Sequence, residues 1–233
     1  MSDTDETPVQ MFLDKRFPTI DVSLRKGCHY TDDDLDSWQF LIQNKSELCE
    51  FYGRYNAELI FDSEGYAYLS AFESQFRQQR LKASEMLIGQ VIALFMADPT
   101  ILRNGGKIKQ EELIARICHL VPNEQISYLF YAARTRKART DLDQGKFKEA
   151  VEKGIRTLEG LGFISLDRDG LIRPHRSIFR FATLARVKDG REQVFQDLLS
   201  KGYIASELSE AGEIDDADEI ESIIEDEAQV NDE

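Results

Sequence analysis

The stretch Ala57-Glu58-Leu59-Ile60-Phe61-Asp62-Ser63-Glu64-Gly65-Tyr66-Ala67-Tyr68-Leu69 decides the fold. Two β-prone runs flank a four-residue turn ending in glycine, which is the composition of a hairpin. About a hundred residues later, Phe163-Ile164-Ser165-Leu166, Asp167-Arg168-Asp169-Gly170 and Leu171-Ile172-Arg173 repeat the arrangement with a turn of the same length and chemistry. That period is far too long for a solenoid repeat. Helical patterns precede both hairpins. Ahead of the first, Phe17, Ile20, Val22 and Leu24 fit a short helix ended by Gly27, and Thr31 with Asp34 three residues on resembles a helix start. Phe40, Leu41, Leu48 and Phe51 recur at helical spacing and predict one helix from Ser37 to Tyr52. Ahead of the second, Ser84 is placed to cap a helix through Met86, Leu87, Val91, Leu94 and Phe95 that stops before Pro99. Gly105-Gly106 make a turn, Ile108 is placed to pair as a short strand, and Gln110 to Leu120 form a helix. Ser127 to Ala133 read as helical, and Phe147 to Leu161 form a helix with Val151, Ile155 and Leu158 on one face.

The expected fold class is therefore mainly α with small β-hairpins, organised as two tandem winged-helix domains. Residues 1–14 are expected as a flexible acidic N-terminus, 15–70 as the first domain and 71–83 as a connector. Residues 84–204 are expected as the second domain with C-terminal helices over Arg176–Ala185 and Arg191–Leu199. Residues 205–233 form an acidic tail expected to be disordered. The alternative there is a short amphipathic docking helix around Asp218–Glu227, given Ile220, Ile223 and Ile224.

The net charge of -14 conceals an uneven distribution. Residues 1–14 carry four acids and residues 205–233 thirteen, with no base in either. Between them, residues 15–100 hold 9 bases and 13 acids, whereas residues 101–204 hold 20 bases and 13 acids. A mildly basic second half between acidic ends keeps nucleic-acid contact open. The three cysteines, Cys28, Cys49 and Cys118, are too few and too far apart for a disulfide framework and suit a reducing compartment. The start of the chain is acidic and lacks the basic and apolar runs of a secretory signal, and no stretch of about 18 apolar residues occurs, so a soluble, cytoplasmic protein without membrane contact is expected.

Motifs of catalysis are missing from the sequence. There is no phosphate loop; Gly105-Gly106-Lys107 lacks its spacing and preceding strand. Cys28-His29 and Cys118-His119 are adjacent pairs, and neighbours on one element point in different directions, so a shared metal would need both pairs to converge. The expectation is a chain that is not an enzyme, with no cofactor and no metal.

Binding residues are easier to nominate. The densest basic run is Arg134, Arg136, Lys137 and Arg139, continued by Lys146 and Lys148. In a winged helix the last helix before the hairpin commonly enters a DNA groove and the wing touches backbone. That helix carries Lys146, Lys153 and Arg156, interleaved with Glu149, Glu152 and Glu159, and Arg168 and Arg173 lie on the wing. The bland reading is a solvated face with ion pairs Glu149–Lys153 and Glu152–Arg156. Few of these residues suit base recognition, so any DNA contact should be phosphate-directed and independent of sequence. The first unit lacks such a basic surface; Trp38, Tyr52, Tyr55 and Tyr66 are its candidates for exposed, partner-binding aromatics.

The run Arg16 to His29 (RFPTIDVSLRKGCH), the string Glu50 to Ile60 (EFYGRYNAELI), Glu64 to Leu69, Leu158 to Phe163, Ile178 to Phe181 and Asp189 to Glu192 together resemble the MukE family over roughly residues 16–200. The resemblance implies two winged-helix domains and a homodimer that binds a MukF-like kleisin. Through the kleisin it implies association with a MukB-like SMC ATPase in chromosome condensation and segregation, and non-specific DNA contact around the last helix before the second wing. The pattern departs at Glu152, Thr157, Glu159 and Gly160, where the resemblance would place arginines. The positive surface is then expected at Arg134, Arg136, Lys137 and Arg139, with Lys146 and Arg156 retained. The alternatives are the small winged-helix subunit of an SMC-type plasmid-defence complex, distinguished by a neighbouring nuclease gene, and a winged-helix transcription regulator, distinguished by a preferred DNA site.

Overall fold

The computed structural model describes residues 10–71, 76–96, 106–131 and 143–185. The run Arg134–Arg139, the helix expected over Arg191–Leu199 and the acidic tail lie outside these residues. In chain order the elements are a 3-10 turn at Gln10–Leu13, α1 Phe17–Lys26, β1 Tyr30–Thr31, α2 Leu35–Gln43, α3 Lys45–Gly53, β2 Glu58–Asp62 and β3 Tyr66–Ser70. They continue with α4 Ala83–Met96, α5 Gln110–Leu120, α6 Asn123–Phe130, α7 Gln144–Gly160, β4 Ile164–Leu166, β5 Ile172–Pro174 and a second 3-10 helix, Arg176–Ala185. Small antiparallel sheets among helices agree with the expected class.

Two sets of buried side chains organise these elements. The first gathers Ile20, Leu24, Phe40, Leu41, Leu48, Tyr52, Leu59 and Leu69. The second centres on α4, where Leu87, Ile88, Val91 and Ile92 meet Leu113, Ile117, Phe147, Val151 and Leu158. Each fully buried large apolar side chain contributes on the order of 1.5–3 kcal/mol. Around the first core the strands run β1-β3-β2, with Asp62 opposite Tyr66 closing the hairpin. Gly65 turns that corner at φ 86°, a left-handed conformation that glycine adopts without strain. In the second unit Ser165 faces Arg173 across β4 and β5, and Ile108 bridges to Ile172 to add a third row.

Several local expectations change. The chain is already ordered at Gln10, because Met11 is buried in the first core and Phe12 packs edge-on against Phe17 and Phe51. Thr31 lies in β1, and the cap of α2 is Asp34, whose carboxylate accepts from the Ser37 N–H. The single helix expected from Ser37 to Tyr52 is two helices. Asn44 parts them: its side-chain Nδ2 donates to the Phe40 carbonyl at 2.8 Å, competing with helix continuation. At α4 the helix starts at Ala83, and Glu85 rather than Ser84 reaches back, accepting from the Lys82 N–H at 2.8 Å. The helix expected over Ser127–Ala133 starts earlier, at Asn123, just after Pro122.

The two units meet along a seam centred on His29. Its backbone N–H donates to the Leu161 carbonyl at 2.9 Å, and its ring lies 4.1 Å from that of Phe163 and 5.3 Å from that of Tyr68. Arg180, on the second 3-10 helix, donates to His29 Nε2 at 2.6 Å and covers the Tyr68 ring at 3.9 Å. An acceptor Nε2 leaves the ring proton on Nδ1, which donates to the same Leu161 carbonyl at 3.2 Å. Gly162 is required here: its φ is +74°, and a Cβ would collide with the His29 carbonyl. Burial, then the Arg180 guanidinium, hold the His29 pKa down at about 3, so the imidazole is neutral.

Candidate nucleic-acid and partner surfaces

Successive helical residues are 100° apart, so α7 sorts its side chains sharply. Phe147, Val151, Gly154, Ile155 and Leu158 are buried. Gly154 lets α4 approach, since a Cβ there would overlap the Ile88 side chain. On the opposite side Lys146, Lys153 and Arg156 share an arc of about 80° with Glu149, and all four are exposed.

The ion pairs of the solvated-face reading do not form. Among the described residues, neither Glu149–Lys153 nor Glu152–Arg156 closes to ion-pair distance. Two of the three acids work elsewhere. Glu152 accepts from Gln110 Nε2 at 3.2 Å, seating the start of α5 against α7, and Glu159 accepts from the Leu166 N–H at 3.1 Å, fastening the second hairpin. Thr157 donates to Glu85 on α4 at 3.1 Å. Three of the four positions that depart from the resembled pattern thus carry internal side-chain contacts of this fold, and the carbonyl of the fourth, Gly160, accepts from Cys28 Sγ at 3.2 Å. The bases Lys146, Lys153 and Arg156 are left facing solvent.

The second hairpin extends this surface. Arg168 is exposed at its turn and Arg173 on β5. Because Ile108 and Ile172 are paired and buried, the alternation of strand side chains puts Lys107, Lys109, Leu171 and Arg173 on the opposite, outer face. Lys107 Nζ lies 2.8 Å from Asp167 Oδ2; that contact, together with the Leu171 and Asp169 N–H groups, holds the Asp167 carboxyl below the usual range. Beside it runs an open groove of about 650 Å³ between α5 and the hairpin, with Lys107, Lys109, Glu112 and Arg116 on its walls and Phe95 and Leu171 as apolar lining. The sequence reading missed Lys107, Lys109 and Arg116. The usable signal was Ile108, since a buried strand residue turns both neighbours outward.

The candidate partner aromatics of the first unit need correction. Tyr52 and Tyr66 are buried. Tyr52 closes an internal network: its hydroxyl donates to Asp21 at 3.0 Å, and Asp21 pairs with Arg25 at 2.8 Å. Tyr66 stacks near Tyr68 and His29 on the seam. Burial pushes both phenols well above their ordinary pKa. Trp38 and Tyr55 are half-buried, Trp38 beside Phe61 and Tyr55 between Phe51 and Phe76, with the Arg25 guanidinium 5.0 Å from the Tyr55 ring. The rings in this unit are mostly used internally. What it exposes is mostly aliphatic, with Leu13, Val22, Leu35 and Ile42 each about half or more accessible, and one ring, Phe12.

Among the described residues no group of three His, Cys, Asp or Glu side chains could hold a metal ion. Cys28 and His29 sit on the seam, and Cys118 is exposed on α5. No helix among the described residues is long and apolar enough to cross a membrane.

The profile of the MukE-like family matches residues 7–232. The chain is 31% identical over 188 residues to the chromosome partition protein MukE of Photobacterium profundum, covering 80% of this chain and 79% of that protein. It is 32% identical over 173 residues to the protein of the same name from Vibrio cholerae, covering 73% and 74%. It is 30% identical over 196 residues to that of Escherichia coli O157:H7, covering 83% and 86%. A profile spanning nearly the whole chain, and relatives that align over most of both lengths, make this chain a member of the MukE-like family.

Proposed function

We propose that the chain is a non-catalytic subunit of a MukBEF-like SMC–kleisin complex that condenses and segregates chromosomes. Its family relatives carry the name chromosome partition protein. It binds a MukF-like kleisin and, through it, a MukB-like ATPase, as a homodimer of tandem winged helices. The second unit contacts DNA phosphates without reading sequence. The single observation that carries the DNA part is the outer face of α7, where Lys146, Lys153 and Arg156 point to solvent beside one acid, Glu149, while Glu152 and Glu159 are engaged by Gln110 and the Leu166 N–H. The outward bases of the second hairpin, Arg168, Arg173, Lys107 and Lys109, continue it. Arg134, Arg136, Lys137 and Arg139 are further candidates for phosphate contact by their charge. Half-buried Trp38 and Tyr55, with exposed Val22, Leu35 and Ile42, make the first unit the protein-binding side. Affinity purification of the chain from its native cells is expected to bring down a kleisin and an SMC ATPase. Recovery of a nuclease-bearing defence complex, or of neither partner, contradicts the reading.

A further inference from the structure

The groove between α5 and the second hairpin is both basic and apolar, and that combination restricts its occupant. Lys107, Lys109 and Arg116 line it with Glu112, and Lys107 also pairs with Asp167 at its edge. Phosphate backbone would satisfy the bases but make no use of Phe95 and Leu171, which line the same space. A matching ligand is a peptide with carboxylates on one side and branched aliphatics on the other. The chain contains one. Residues 218–227 read Asp-Glu-Ile-Glu-Ser-Ile-Ile-Glu-Asp-Glu, six acids with no base, and Ile220, Ile223 and Ile224 recur at i, i+3 and i+4, the spacing of one helical face.

We infer that Asp218–Glu227 docks on this groove within the same molecule, isoleucines toward Phe95 and Leu171 and carboxylates toward Lys107, Lys109 and Arg116. The tether is long enough. The described chain ends at Ala185, and the stretch from there to Asp218 spans up to ~100 Å when fully extended. Tethering also supplies an effective concentration on the order of millimolar, so even a weak groove is occupied. Screening by salt should release the segment, because its charged contacts are at the surface. Docking also places a mass of negative charge beside the outward bases of the second unit, a built-in competitor for any polyanion that approaches them.

The test is zero-length carbodiimide coupling of the full chain, co-refolded from a one-to-one mixture of unlabelled and nitrogen-15-labelled protein so that any dimers carry both isotopes, followed by mass spectrometry. No DNA is present, so the result stands apart from the DNA reading. Amide links from Lys107 or Lys109 to carboxylates within 218–227 are expected, joining residues of one isotope only. Ile220→Ser, Ile223→Ser and Ile224→Ser together should lower their yield by at least about tenfold, since even one buried isoleucine is worth that order in an equilibrium constant. Isotopically mixed links would assign the groove to a second copy of the chain and overturn docking in cis. Links spread evenly over exposed lysines such as Lys15, Lys45 and Lys146, and unchanged by the serine variant, would overturn the site itself.

Discussion

The two units handle positive charge in opposite ways. In the first, Arg16 lies over Phe40 and pairs with Asp14, Arg25 lies 4.3 Å from the Phe76 ring and pairs with Asp21, and Lys45 covers Phe61. These three cations are building material, absorbed by rings or carboxylates. In the second, the interior is largely aliphatic, two of the acids on α7 are drawn into internal hydrogen bonds, and the bases are turned out. Where the second unit does spend arginines internally, it does so at the seam: Arg180 on His29 and Tyr68, Arg176 against Asp32 and the Glu64 carbonyl. Similar helix-and-hairpin sequences can thus serve different roles, and the location of the acids decides which lysines and arginines are left for a partner.

The largest expected effect concerns whether the units are separable. Phe147 is buried at the centre of the second core, and Phe147→Ala should cost about 3–5 kcal/mol. The chain has one tryptophan, Trp38, and it lies in the first unit. If the His29 seam couples the units, urea unfolding followed by Trp38 fluorescence and by circular dichroism shifts together in this variant. A Trp38 transition that stays in place while the dichroism moves would show that the units unfold independently.

The seam itself has a pH signature. His29 is held neutral down to about pH 3, against an unperturbed value of 6.5. Between those values the unfolded chain binds a proton that the folded chain refuses, so acidification favours unfolding. Stability from this residue is full above about 6.5 and falls by up to roughly 1.4 kcal/mol per pH unit below it. Comparing the pH dependence of urea midpoints from pH 7 to 5, His29→Gln should show a shallower loss than the wild type. Identical slopes would mean that His29 is not sealed between the units.

Much of this organisation was legible from periodicity. The hairpins, the helix Gln110–Leu120 and the buried stripe Val151, Ile155, Leu158 follow directly from alternation and helical spacing. The failures have physical causes. Asn44 ends a helix through a side-chain bond that no hydrophobic pattern reports. Tyr52 and Tyr66 looked available because tyrosine tolerates either environment, and only the tertiary positions of Asp21 and His29 decide for burial. The Glu152–Arg156 ion pair drawn along α7 was reasonable by spacing, but Gln110, distant in sequence, claims the Glu152 carboxylate. Sequence spacing reports which residues share an element and is blind to competition from other elements.

The central claim is that α7 presents a phosphate-binding face and the first unit does not. It is tested most directly by the salt dependence of DNA affinity for the full chain. Replacing Lys146, Lys153 and Arg156 with glutamine should weaken binding equally on unrelated sequences. It should also flatten the plot of log affinity against log salt by about 0.9 for each lost phosphate contact, while Lys45→Gln with Arg54→Gln in the first unit changes neither. An unaltered slope in the α7 variant, or an equal loss from the first-unit pair, would contradict the account.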